Sequence, residues 1–270
     1  MSEILIVLPA IVLYALAAFR QWQVVTGKRP AARNQVLTFS MLGAIAHLVY
    51  VGYAVLYASP VDHPSINFAF FDIGAVIGLV MVLLVLFSSL RKPVENLLVG
   101  LLPMISLVLL LAAATDQKFS LDHLSYSLVW HILLSILAYS VFVIAAVQSV
   151  LLYLQDRHLR SHKTHGLIQA LPPLQTMDLL LFEMIWLGEI LLTLAFAIGW
   201  PSVSDMQAQH LVHKVAFASI GWAVFAVLLF GRYRYGWRGV TASRWTLTGT
   251  AFLILSYFGS KFVLEMLIGQ

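Results

Sequence analysis

The stretch LLVGLLPMISLVLLLAAAT occupies residues 97–115 and contains no charged side chain. A helix needs about 20 predominantly apolar residues to cross the hydrocarbon core of a bilayer. Only helices or closed barrels satisfy their backbone groups in lipid, and segments of this length require helices. Comparable segments recur along the chain, and we predict eight membrane-spanning helices, at residues 4–19, 36–58, 66–90, 97–115, 124–154, 179–200, 211–231 and 245–268.

The overall composition agrees with a chain that lies within a membrane. Of the 270 residues, 61% are hydrophobic and 10% are charged, whereas soluble domains average roughly 45–50% and 25%. These values exclude a soluble enzyme, a secreted domain and a disordered chain. We therefore expect a single integral membrane domain over 1–270, an all-α polytopic helical bundle. The absence of cysteine excludes disulfides, thiolate metal sites and iron–sulfur clusters.

Basic residues are concentrated in alternate loops. The loops after spans one, three, five and seven hold 13 of the 16 lysines and arginines, whereas the other loops hold mainly aspartates. Cytoplasmic loops of membrane proteins carry an excess of basic residues, so both termini are predicted to lie outside, in the periplasm. The net charge of +4 is thus explained by topology. We expect the lipid bilayer as a partner and no nucleic acid.

Ionisable side chains inside the predicted spans are costly and indicate either function or buried pairing. The eight such residues are His47, Asp72, His131, Glu183, Glu189, Lys214, Lys261 and Glu265. Lys261 and Glu265, spaced i and i+4, can pair with each other. Gly74 and Gly78 in the third span form a small-xxx-small step that favours close helix contact.

The fifth span carries a polar stripe. His131, Ser135 and Tyr139 have i, i+4 and i+8 spacing, which places them on one helix face, and Trp130 is adjacent. A polar stripe on a membrane helix is expected to face the bundle. A neutral imidazole there can ligate iron, carry a proton or simply donate a hydrogen bond, and the pattern leaves these roles open.

The remaining histidines allow weaker hypotheses. His210 and His213 are three residues apart at the start of span seven and could bind a metal or a heme propionate, although an interfacial turn explains them better. His63 lies in another outer loop. The triplet His158, His162 and His165 has metal-compatible spacing, but a solvated face or contact with anionic lipid explains it better, so we predict no metal site. Motifs of soluble enzymes are absent, and any enzyme would act within the membrane.

Three segments carry a family resemblance. They are Trp130-His131 with Leu134-Ser135 and Ala138-Tyr139, the region 214–239 ending in GRYRYGWRG, and Ser256-Tyr257-Phe258-Gly259. Over about residues 125–270 they resemble the cytochrome c assembly proteins (the CcsA, ResC and HemX group), most closely a branch of small eight-span proteins of the bacterial inner membrane. The tryptophan-rich signature of larger members is missing.

The resemblance implies heme binding or heme handling at the outer face. His131 matches the family's first outer heme-ligand histidine, and His47, His63 or His213 could supply the second axial ligand. Trp130, Ser135 and Tyr139 complete the expected cofactor-binding set. The implied partners are heme and apocytochrome assembly proteins.

Two other functions remain open. One is a non-enzymatic membrane partner or regulator that kept the scaffold without heme chemistry. In that case the stripe holds helices together, and the basic loops dock lipid or a cytosolic protein. The other is a small-solute transporter that uses Glu189 and His47 as coupling groups.

Overall fold

The computed structural model describes residues 2–30, 32–54, 69–115, 125–160, 171–199 and 212–259. These residues form α-helices and no strand, which confirms the all-α prediction. The eight helices, numbered here in chain order, are α1 (Ser2–Val25), α2 (Arg33–Gly52), α3 (Phe70–Ser89), α4 (Leu98–Ala114), α5 (Tyr126–Arg160), α6 (Leu174–Gly199), α7 (Val212–Tyr235) and α8 (Val240–Ile254). A short 3-10 turn (Glu95–Leu97) precedes α4, and a π turn (Leu255–Gly259) follows α8.

Seven of these helices, α1 to α7, are long and apolar enough to cross a membrane. In α8 only 15 helical residues precede the π turn, and the predicted span 245–268 continues beyond the described residues. The count of eight spans therefore stays a prediction. The chain is nevertheless an integral, multi-pass membrane protein.

Several helices extend beyond the predicted apolar segments. Helix α6 begins at Leu174 instead of residue 179, α7 continues to Tyr235, and α8 begins at Val240 instead of residue 245. Hydropathy ends a span where polar residues begin, but a helix continues because its backbone hydrogen bonds do not depend on side-chain polarity. The extensions contain Asp178 and Arg232, which form an ion pair described below.

The helices form two compact units, of which the first contains α1 to α4. In this unit α1 packs against α2 and α4, and α3 packs against α4. Gly78 on α3 allows a close approach, because a Cβ atom added there would lie 3.1 Å from the Cγ2 atom of Ile105 on α4. Its position agrees with the predicted small-residue step. Gln21 Nε2 also donates a 2.6 Å hydrogen bond to Asn96 Oδ1.

The second unit contains α5 to α8, with α5 packed against α6 and α8, and α7 packed against both of these. Its centre is the stacked pair of Phe142 and Phe225, whose ring centroids are 4.0 Å apart. Glycine makes this stack possible, because a Cβ at Gly188 would lie 2.8 Å from the Phe142 ring and one at Gly249 2.7 Å from the Phe225 ring. The single membrane domain over 1–270 stays a prediction.

Candidate functional site

His131 lies in the second turn of α5 and contacts α6. Its Nδ1 atom is 2.7 Å from the carbonyl oxygen of Ala195. A carbonyl oxygen only accepts hydrogen bonds, so Nδ1 must carry the proton and donate. In the neutral ring Nε2 is then unprotonated and keeps its lone pair. The ring is partly buried, and its orientation is fixed by a backbone group.

Gly199 at the end of α6 leaves the space that the His131 ring occupies. A Cβ atom at this position would lie 2.7 Å from Cε1 and 3.1 Å from Cγ of His131, and closer still to Nδ1. Any larger residue at 199 would therefore displace the imidazole. The sequence does not single out Gly199 or the Ala195 carbonyl, because neither belongs to a motif.

The other residues of the predicted stripe have different surroundings. The hydroxyl of Tyr139, which is 9% exposed, donates a 2.7 Å hydrogen bond to the carbonyl of Leu253 on α8. Ser135 has intermediate burial. Trp130 is 44% exposed and packs edge-on against Tyr126, with centroids 6.1 Å apart. His131 and Tyr139 thus face neighbouring helices, as their spacing predicts.

A second contact joins the start of α7 to the π turn after α8. Ser256 Oγ donates a 2.7 Å hydrogen bond to the carbonyl of Lys214. The ammonium of Lys214 lies 4.9 Å from the centroid of the Tyr257 ring, which in turn packs edge-on against Tyr139 at 6.0 Å. The Tyr139 face of α5 is therefore connected to the beginning of α7.

His213 is exposed in the first turn of α7. Trp222 Nε1 on α7 donates a 2.9 Å hydrogen bond to Thr193 Oγ1 on α6, and Arg232 near the end of α7 pairs with Asp178 near the start of α6. The two helices are therefore antiparallel, so the end of α6 and the start of α7 are at the same end of this unit. That end also contains His131, since the ring contacts Ala195 near the end of α6. His131 and His213 thus belong to one end of one unit.

His47 belongs to the first unit and is fully buried. Its Nδ1 atom is 3.1 Å from the hydroxyl of Tyr14 on α1, and the two rings meet edge-on. The backbone of Ala75 also interacts with the histidine side chain, but Nε2 has no well-formed hydrogen bond. A ligand would need to displace packed helix surface to reach this ring.

Glu189, in the second unit, is a further buried ionisable group. It is 7% exposed, and neither carboxyl oxygen has a hydrogen-bond partner among the described residues. The sequence predicts that this carboxyl needs a partner, and the described helices supply none. Glu189 and His47, the two groups of the transporter hypothesis, lie in different units.

The other predicted positions are described only in part. Among the described residues, no three histidines or carboxylates lie close enough to hold a metal ion. His158 directs Nδ1 to the carbonyl of Leu154 at 2.8 Å. The remaining residues of those hypotheses lie outside the described residues: His63, His162, His165, His210, Lys261 and Glu265.

The surroundings of His131 fit an axial ligand of heme iron. An imidazole binds iron through an unprotonated nitrogen, and a hydrogen bond from the opposite nitrogen to a carbonyl is the usual support for such a ligand. His131 has this arrangement, and Gly199 makes room for its ring against α6. The residues present are therefore compatible with heme.

The long apolar helices define a polytopic membrane protein. Its candidate ligand site is the partly buried side chain of His131, which is hydrogen-bonded to a backbone carbonyl. The sequence profile of one family covers nearly the whole chain, from residue 11 to residue 268. The chain belongs to the cytochrome c assembly protein family, as the resemblance predicts.

Individual relatives agree with this assignment. The inner membrane protein YpjD of Escherichia coli K12 is 25% identical over 237 residues, which cover 87% of this chain and 88% of YpjD. This similarity confirms the expected branch. An uncharacterized 28.8 kDa protein of Azospirillum brasilense is 30% identical over 144 residues, about half of each chain. HemX of Brevibacillus brevis is 25% identical over 134 residues, again about half of each chain. No solved structure matches the chain.

Proposed function

We propose that this protein holds heme at the outer face of the bacterial inner membrane during cytochrome c assembly, with His131 as an axial ligand. The observation that carries the proposal is the 2.7 Å bond from His131 Nδ1 to the Ala195 carbonyl, which leaves Nε2 available for iron. Family membership and the similarity to YpjD, which is named an inner membrane protein, support the context and the location.

The Ala195 carbonyl does more than orient the ring. A hydrogen bond at Nδ1 raises the basicity of Nε2, and loss of such a partner typically weakens metal binding about 10–100-fold. When bound, heme would be the cargo that an apocytochrome receives, and His131 would hold its iron. Ser135 and Tyr139 follow His131 on the same helix face, and Trp130 adds an exposed aromatic surface beside it.

His213 is the better candidate for a second axial ligand. It is exposed and lies at the same end of the second unit as His131. His47, by contrast, is enclosed in the first unit with Nδ1 bonded to Tyr14. We expect His213→Ala to change the coordination of bound iron, which shifts the Soret maximum, whereas His47→Ala should affect stability more than the spectrum.

The orientation of the chain is part of the proposal, because His131 must face the periplasm. The 13 basic residues in alternate loops support an orientation with both termini outside.

The natural absence of cysteine permits a test of this orientation without background labelling. Tyr126→Cys, at the start of α5, and Tyr233→Cys, near the end of α7, replace residues that are 80% and 90% exposed. A membrane-impermeant maleimide should label the first in intact spheroplasts and the second only after permeabilisation. The reverse result would contradict the orientation.

Titration of the purified protein with hemin tests the heme site. His158→Ala is the matched control, because His158 lies on the same helix and also directs Nδ1 to a carbonyl, at 2.8 Å. Wild-type protein and the control should develop a Soret band at similar hemin concentrations. His131→Ala should require at least tenfold more hemin. Equal titrations of both variants would contradict the proposal.

A second candidate function is a membrane partner or regulator in the same assembly process. It is favoured by the two bonds that join helices without any ligand, His131 to Ala195 on α6 and Tyr139 to Leu253 on α8. In that case hemin produces no Soret band, His131→Ala lowers the thermal unfolding midpoint, and a partner protein co-purifies without pigment.

A further inference from the structure

A cleft of about 670 Å³ lies in the second unit, between the end of α5, the start of α6 and the turn that joins α7 to α8. It is at the end of the unit opposite His131, because His131 is near the start of α5 and the cleft is near its end. Five of its eleven lining residues are charged: Asp156, Arg160, Asp178, Arg232 and Arg238.

One wall of the cleft is fixed by Asp178 and Arg232. The Asp178 Oδ2 atom is 2.9 Å from Arg232 Nη1, and Oδ1 accepts a 3.0 Å hydrogen bond from the backbone N–H of Gly239. Arg232 Nη1 also donates to the carbonyl of Trp237 at 3.1 Å, and the guanidinium lies 4.4 Å from the Phe182 ring centroid. Both side chains therefore form hydrogen bonds with the backbone of the turn that joins α7 to α8.

The turn itself has a defined shape that presents Arg238. Gly236 and Gly239 have φ angles of 68° and 59°, which are left-handed values that favour glycine. Between them the Trp237 ring packs where a Cβ of Gly231 would be and stacks on Trp245, with centroids 5.3 Å apart. The GRYRYGWRG segment therefore builds a rigid corner around the cleft.

The electrostatic balance of the cleft is positive. Asp156 is paired with Arg160 at 2.8 Å, and Asp178 is paired with Arg232. Arg238 has no ion pair or side-chain hydrogen bond with any described residue, so the five lining charges sum to +1. The cleft also includes the first turn of α8, whose N-cap residue Gly239 has no capping side chain of its own and donates its N–H to Asp178. The N–H groups of the residues that follow Gly239 favour an anion.

We propose that this cleft binds a phosphate group, with the Arg238 guanidinium as its principal ligand and the start of α8 as a second contact. Guanidinium groups bind phosphate oxygens in a bidentate manner, and the cleft volume accommodates more than a single phosphate. The proposal does not depend on heme binding by His131.

Two sources could supply the phosphate group: the headgroup of an anionic phospholipid or a free phosphate compound. The surroundings favour the headgroup. Tyr233 and Tyr235, which lie in the sequence between the lining residues Arg232 and Arg238, are 90% and 66% exposed, and exposed tyrosines with arginines are typical of the membrane–water interface. The loop is also one of those predicted to be cytoplasmic, where anionic lipids attract basic segments.

The full-length protein in detergent, with lipid added back, allows a direct test. Thermal unfolding midpoints would be measured against increasing phosphatidylglycerol, phosphatidylcholine or inorganic phosphate. Arg244→Gln is the matched control, because Arg244 is exposed in the same basic region and does not line the cleft. Phosphatidylglycerol should raise the midpoint of wild type and control, and Arg238→Gln should need about tenfold more lipid for the same shift, as expected for one charge-assisted contact.

If Arg238→Gln does not fold, a second variant tests the same site. Thr241→Glu adds a negative charge to the first turn of α8, where an acidic residue stabilises the helix, and should abolish the lipid effect. If inorganic phosphate produces the same Arg238-dependent shift, the phosphate site is upheld and its source is a soluble compound. Equal stabilisation by phosphatidylcholine, or equal responses of the Arg238 and Arg244 variants, would overturn the proposal.

Discussion

Replacing Gly199 with alanine tests how the His131 site is built. The added Cβ would lie 2.7 Å from Cε1 of His131, whereas carbon atoms normally remain about 3.5–4.0 Å apart. The ring must therefore move by about 1 Å, which breaks the 2.7 Å hydrogen bond from Nδ1 to the Ala195 carbonyl. A lost hydrogen bond costs about 0.5–1.5 kcal/mol, and overpacking costs about 1–3 kcal/mol.

We therefore expect Gly199→Ala to lower the free energy of unfolding by about 1.5–4.5 kcal/mol and to weaken hemin binding about 10–100-fold. Gly52→Ala is the matched control, since Gly52 also ends a helix and a Cβ there meets nothing within 4 Å. Denaturation in detergent and hemin titration measure the two effects. If Gly199→Ala behaves like Gly52→Ala in both assays, Gly199 does not set the position of the His131 ring.

Four further substitutions test individual contacts by thermal or denaturant unfolding in detergent. Tyr14→Phe should cost about 1–2 kcal/mol, because it removes the hydrogen-bond partner of buried His47. Tyr50→Phe removes a buried hydroxyl that has no partner among the described residues, and it should be neutral or stabilising; an equal loss of stability in the two tyrosine variants would refute this reasoning. Glu189→Gln should not destabilise, since no described residue stabilises a charge on this carboxyl; a large loss would reveal an ion pair. Asp178→Asn should cost about 1–3 kcal/mol through loss of its arginine partner, and an unchanged midpoint would show that the ion pair contributes little.

The positions of the helices follow from apolar segment length, so they are predictable. The charge-free stretch 97–115 predicts a span whose helix is Leu98–Ala114, because burial in lipid requires both apolar side chains and internal backbone bonding. The start of α6 at Leu174 is missed, because hydropathy treats the polar first turns as loop. A polar residue such as Asp178 remains helical once an arginine from another helix pairs with it.

The candidate site is predictable only in part, for a related reason. His131 and Tyr139 are recognisable because polar residues at helical spacing are unusual in a membrane span. Their partners, the carbonyls of Ala195 and Leu253, are separated from them by 64 and 114 residues in sequence. A backbone carbonyl has no sequence signature, so these contacts require the folded structure. The same applies to Gly199, which contributes by having no side chain and so makes room for the His131 ring.

The absorption spectrum of the protein purified from its own membrane tests the central claim most directly. Wild-type protein should carry a Soret band, and His131→Ala purified in parallel should show that band reduced at least tenfold at equal protein concentration. His158→Ala should retain it. A wild-type protein without a Soret band even after heme loading, or a His131→Ala variant with the full band, would contradict heme binding through His131.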